Sequence, residues 1–143
     1  MEIEVHKGMI VEVRKGHKAD VYDGGIAEVY ETGYAEVHAG GDAEVLDGGT
    51  VKVWENGHAR VQDGGWAAIV HGGKVDIQKG GYALVLEDGW ACVHAGGEVD
   101  VRYKGHAEVL EGGFATVHPG GTATGPGEIN YVEQVTQHLA PSI

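Results

Sequence analysis

One eight-residue phrase recurs through this sequence with almost no slippage, and it leaves few folds open. It is clearest over residues 40–49, GGDAEVLDGG. A Val or Ile stands at every eighth position from Val5 to Val117, and from position 11 onward an Ala or Val stands two residues before each. A Gly follows each Val or Ile by four residues in every repeat from Gly25 to Gly121. Self-similarity at a fixed short period marks a solenoid, in which each unit buries its apolar face only against its neighbours.

Within one repeat the order is x-Ala-x-Val-x and then a corner. Residues two apart share a face of a strand. Ala43 and Val45 therefore point to one side, and Asp42, Glu44 and Leu46 to the other. The Ala/Val side is uniformly apolar and is the inside; the variable, mostly polar side is the outside. A corner that needs left-handed backbone accounts for the paired glycines, with Asn56 and Asp88 as tolerated substitutes.

Departures from the repeat suggest the coil length. Val replaces the inward Ala at Val51, Val75 and Val99, and the first corner Gly is lost at Thr32, Asn56 and Lys104, all at multiples of 24. These spacings predict three octads per coil, a triangular cross-section and about five coils, roughly 24 Å tall at ~4.8 Å per coil. The solenoid is expected over residues 1–125. After the GPG break, the segment 126–143 is expected to form a short helix, with Ile129, Val132, Val135 and Leu139 near one stripe. That helix would cap the open end or bind in trans.

The chain has 10 basic and 22 acidic residues, for a formal charge of −12. This argues against direct binding to nucleic acid or an anionic membrane and permits a basic partner. The single Cys92 cannot form an internal disulfide. The N-terminus, MEIEVHKG, does not read as a secretory signal, and no apolar run reaches membrane-spanning length. A cytoplasmic setting is expected, with virion association an alternative.

Octads such as GGDAEVLDGG and GGFATVHPGG resemble the Gly-x-Ala-x-Val repeats of phage, prophage and bacterial β-solenoid proteins. The resemblance spans residues 3–125. It implies an all-β solenoid and carries no catalytic motif with it.

Function must then lie in the outward positions. With three octads per coil, Trp66, Trp90 and Phe114 would stack as a ladder beside Val70, Cys92 and His94. A second face would carry Tyr34, His58, Tyr82 and His106 with Leu84, Leu86 and Leu110. A contiguous apolar patch with stacked Trp marks a contact surface. The expected partner-binding set is Trp66, Val70, Trp90, Cys92, His94 and Phe114, with Ile129, Val132, Val135 and Leu139 from the tail.

His94 and His118 would be ladder neighbours on that face, with Cys92 beside His94, and the three offer N/S donors of the kind zinc takes. The spacing is inherited from the repeat, however, so no metal and no cofactor are expected. No Ser triad is possible, since Ser142 is the only Ser. The glycines are not phosphate loops, for no helix follows them. Acidic corners are expected at Asp23 with Asp47, Glu31 with Glu55, and Asp63, Glu87 and Glu111 together.

The residues thus point to a non-enzymatic, rigid interaction or structural protein, of phage or prophage type, that binds a protein or itself. One alternative is an acidic DNA mimic that inhibits a nucleic-acid-binding defence protein. Another is a carbohydrate-binding spike or adhesin module.

Overall fold

The computed structural model describes residues 2–132 and is an all-β solenoid of parallel strands with two walls. One wall has nine strands: β1 (Glu2–Val5), β3 (Lys18–Val21), β5 (Tyr34–Val37), β7 (Thr50–Val53), β9 (Trp66–Ile69), β11 (Tyr82–Val85), β13 (Glu98–Val101), β15 (Phe114–Val117) and β17 (Glu128–Tyr131). The other has eight: β2 (Ile10–Val13), β4 (Ile26–Val29), β6 (Asp42–Val45), β8 (His58–Val61), β10 (Lys74–Ile77), β12 (Trp90–Val93), β14 (His106–Val109) and β16 (Thr122–Thr124).

The register corrects the coil length. Trp66 pairs with Tyr82 and Lys74 with Trp90, each two octads further along the chain. One coil is therefore two octads, not three, and the section is a flattened two-sided one, not a triangle. The described chain makes eight such coils plus β17, roughly 38 Å along the axis at ~4.8 Å per coil. The three-octad signal has a different cause. It is one and a half coils, so Val51, Val75 and Val99 enter the interior from alternate walls: β7, then β10, then β13. From the second coil on, no coil carries two of these wider residues across its thin core.

The inward assignment itself holds. Ala and Val at the repeat positions from Val13 to Val117 are at most 1% exposed, and among the described residues no polar one is buried. Ile69 and Ile77 are the largest fully buried side chains. Ile3 and Val11, at the N-terminal end, are partly buried against the same core.

The two corner glycines serve different ends. The first adopts left-handed backbone, as at Gly64 with φ 78°. Asn56, Asp88, Lys104 and Thr32 take that role at φ of 60–63°. The second does not need positive φ. Its missing Cβ makes room for the coil beneath: a Cβ on Gly65 would lie 2.6 Å from Val45 O. This explains why Met9 and His17 can stand at that position in the first coil, where no described strand lies beneath them.

At the other end the GPG segment shortens the last coil. β15 and β17 pair Phe114 with Glu128, a spacing shorter than two octads. The stretch 128–131 is thus a strand added to the sheet, not the start of a helix; the expected helix beyond it, with Val135 and Leu139, lies outside the described residues. The sheet ladder extends here because Glu128 N donates to Gly113 O and Val132 N to Val117 O. Such ready backbone partners outweigh the helical spacing of Ile129 and Val132. No helix among the described residues is long and apolar enough to cross a membrane.

Candidate functional site

Each strand presents its first and third residues outward, and the residue that follows the strand continues the same face. Every coil thus contributes three outward side chains to each wall, and residues one coil apart form files up the rod.

On the nine-stranded wall these files converge on an apolar centre. The β9 coil carries Trp66, Ala68 and Val70; the β11 coil carries Tyr82, Leu84 and Leu86; all six are partly exposed. Trp66 and Tyr82 rings are 6.5 Å apart and stacked. The coil before adds Thr50, Lys52 and Trp54, and the coil after is charged at every outward position, Glu98, Asp100 and Arg102.

The borders are ordered. Lys52 Nζ lies 4.4 Å from the centre of the Trp54 ring and makes no ion pair among the described residues. Trp54 Nε1 donates to Glu36 Oε1 at 3.1 Å. Arg102 Nε donates to Asp100 Oδ1 at 3.1 Å, and Tyr82 Oη donates to Asp100 Oδ2 at 3.4 Å. Burial, then the Asp100 charge, raise the Tyr82 hydroxyl above its ordinary pKa. Burial first and Glu36 second push Tyr34 up to about 12. Both phenols are therefore neutral donors at physiological pH. His118 Nε2 sits 2.9 Å from Asp100 Oδ1 without making a hydrogen bond to it, and this buried nitrogen has no other partner among the described residues.

The expected Trp66/Trp90/Phe114 ladder does not form, because with two octads per coil a step of three crosses to the opposite wall. Trp66, Val70 and Phe114 lie on the nine-stranded wall, with Glu98 between Tyr82 and Phe114. Trp90, Cys92 and His94 lie on the eight-stranded wall, where Trp90 stacks on His106 at 4.1 Å. Tyr82, Leu84 and Leu86, expected on a separate face, join Trp66 instead. Ile129 packs against the core, and Val132 is 39% exposed. The pairs Trp66/Tyr82, Ala68/Leu84 and Val70/Leu86, each two octads apart and each apolar, are the sequence signal for this patch.

The metal-type triad changes in the same way. His118 is on the far wall from Cys92 and His94, and Asp76 takes its place, with donor atoms of Asp76, Cys92 and His94 within 4.8 Å of one another. Asp76 is already engaged: His58 Nε2 bonds its Oδ2 at 3.0 Å, and His58 Nδ1 bonds Asp42 Oδ1 at 3.0 Å. The Asp42 bond outweighs burial and raises the His58 pKa. Burial, then Asp76 and Glu108, raise the Cys92 thiol, which keeps it protonated and a poor ligand. The same offsets between strands gather Asp20, Glu36 and His38, and the step from Asp20 to His38 is repeated from Asp100 to His118. These clusters follow from the register of the sheet and do not by themselves specify a metal.

The acidic corners regroup into two edges. Glu31, Asp47 and Asp63 follow one another on one edge: Glu31 N donates to Asp47 O and Asp47 N to Asp63 O. Lys79 and Ala95 then separate them from Glu111. Asp23, Glu55 and Glu87 lie on the other edge, alternating with Ala39 and His71. The expected pairs Asp23/Asp47 and Glu31/Glu55 are split between edges, again because a three-octad step is half a coil out of phase.

The fold defines the class, a two-walled parallel β-solenoid. No family model matches the chain, and no curated protein matches it. Among solved structures it is similar to the crystal structure of a TibC-catalysed, hyper-glycosylated TibA55-350 fragment, with a TM-score of 0.38 and 23% identity over 97% of this chain and 73% of that one. An overlap that loose says nothing about what this chain binds.

Proposed function

We propose that this chain is a rigid, non-enzymatic interaction protein that docks a protein surface through the middle of its nine-stranded wall. One observation carries the reading. On this wall two successive coils present only apolar or aromatic side chains, Trp66, Ala68, Val70, Tyr82, Leu84 and Leu86, and the next presents only charged ones, Glu98, Asp100 and Arg102. An apolar centre with a polar rim is how protein interfaces are built. The scaffold suits the task, since its backbone ladders run unbroken from β1 to β17 and fix the spacing of the face.

A photo-crosslinking amino acid placed at Leu84, in cells that express the chain natively, tests this. Adducts are expected from position 84 and not from the same probe at Gln78 on the other wall. Equal labelling from both positions, or none from either, would sink the reading.

A second reading rests on Glu31, Asp47 and Asp63, which stand one coil apart on one edge. Such a file imitates a phosphate backbone toward a basic nucleic-acid-binding protein. Binding to that partner should weaken steeply with salt; a salt-independent affinity rules it out.

A further inference from the structure

We propose that the surface docked on the nine-stranded wall is the same wall of a second copy, related by a two-fold axis that lies parallel to the strands between β9 and β11. This rests on the docking reading above and names its partner.

The axis follows from how the outward residues are distributed. Rotation about a line parallel to the strands keeps strand direction and reverses coil order. The β9 coil then faces the partner's β11 coil, the β7 coil its β13 coil, and the β5 coil its β15 coil. Isologous contact requires the face to be complementary to itself under that reversal.

It is complementary in size at the centre. Ala68 lies across from Leu84 of the second copy, Val70 across from Leu86, and Trp66 across from Tyr82. Small meets large twice, and an aromatic meets an aromatic.

It is complementary in charge one coil further out. Lys52, which makes no ion pair among the described residues of its own chain, lies across from Asp100. Trp54 lies across from Arg102, a pairing that favours a guanidinium over an indole. Thr50 meets Glu98. Beyond these, Tyr34 lies across from Phe114 and Lys18 from Glu128. Over all these coils no two like formal charges meet, although the chain carries −12. The eight-stranded wall fails the same test about its own middle: Glu28 would face Glu108.

The area suffices. The eight strands from β3 to β17 that meet their counterparts, at ~4.8 Å each and with outward residues over about 17 Å, give a face of roughly 650 Å², within the range of about 600–1,000 Å² per partner for standard interfaces.

Charge exchange tests the pairing. Lys52→Asp and Asp100→Lys each place like charges in contact twice per dimer, so each variant should dissociate at least about tenfold more readily than wild type. Mixing the two variants restores opposite-charge contacts, and only as a heterodimer. Light scattering is expected to show dimeric wild type, two monomeric variants, and a dimer on mixing. Both side chains point outward, and circular dichroism with a thermal melt verifies that each variant folds. A second arm uses Thr50→Cys with Glu98→Cys in a Cys92→Ser background. These positions are three coils apart in one chain and roughly 10 Å apart across two packed sheets, too far for a disulfide, so a short bis-maleimide bridges them only across copies.

A monomeric wild type at several hundred micromolar overturns the proposal, as does a mixture that stays monomeric together with an uncrosslinked cysteine pair. The Leu84 photo-crosslink separates this failure from the wider one. A monomer that still crosslinks from position 84 to a different protein loses the second copy and keeps the docking face.

Discussion

Exchanging either glycine of one corner for alanine should have unequal effects, and the difference measures how tightly the coils are stacked. Gly64 has φ 78°, and its nearest neighbour to an added Cβ is Asp47 Cα at 3.4 Å, an ordinary contact. Gly64→Ala therefore costs only the left-handed backbone, about 1–2 kcal/mol. At Gly65 the φ is ordinary, but a Cβ would lie 2.6 Å from Val45 O and 2.8 Å from Val45 C. Those atoms belong to backbone one coil below, and Val45 O already accepts from Gln62 N at 2.8 Å. No side-chain rotation relieves the clash. The two coils must move apart, and the inward side chains packed between them must lose contact. The cost should be at least about 3 kcal/mol, the upper end for overpacking.

Thermal melts followed by far-ultraviolet circular dichroism will read this. At roughly 3 °C per kcal/mol for a chain of this size, Gly65→Ala should lower Tm by about 10 °C and Gly64→Ala by about 3–6 °C. His17→Ala, at the equivalent position with no described strand beneath it, should leave Tm within about 1 °C, as expected of a surface substitution that touches no packed neighbour. Equal losses for Gly64→Ala and Gly65→Ala would refute the steric account and return the glycine requirement to backbone conformation alone.

Two further expectations follow from the core and the His58 network. Ala67 is fully buried between walls of Val and Ile, so Ala67→Leu should cost about 1–3 kcal/mol, read as a lower urea midpoint with an unchanged slope. His58 has its folded pKa raised chiefly by the Asp42 bond. Its contribution is fully present below the unfolded value of about 6.5 and is lost as pH rises through the folded value. The stability difference between wild type and His58→Gln, measured in chelator by urea melts, should therefore be largest at or below about pH 6 and shrink above it; a difference that grows with pH contradicts this.

Much of the fold is legible in the sequence because its rules are local. Alternation of Ala and Val with polar residues fixes which side of each strand faces in, whatever the coil length, and every residue so assigned from Val13 to Val117 is buried. Coil length is not local. The most visible long-range pattern, Val51/Val75/Val99, reports the packing of wide residues from alternating walls and mimics a three-sided repeat. The onset of the second glycine is the better guide. A Cβ at position 25 meets Val5, which lies one coil and a corner earlier in the chain. Position 17 has no such partner among the described residues, and His17 stands there.

The site divides along the same line. Cys92 and His94 belong together on any coil length, because residues two apart share a strand face. His118 and Asp76 are different: whether either joins them depends on which strand lies next door, and the register admits Asp76 and excludes His118. Trp66 stands out as a contact residue from sequence, while its true neighbours Tyr82 and Leu84 fall on another face until the pairing is known. Once the step is two octads instead of three, the scattered apolar residues of two faces collapse onto one. The charged residues Glu98, Asp100 and Arg102 become its border, and Lys52 is the cation opposite that border across the proposed two-fold axis. A surface that is ambiguous when read in threes is self-complementary when read in twos, and that property belongs to the register, not to any residue taken alone.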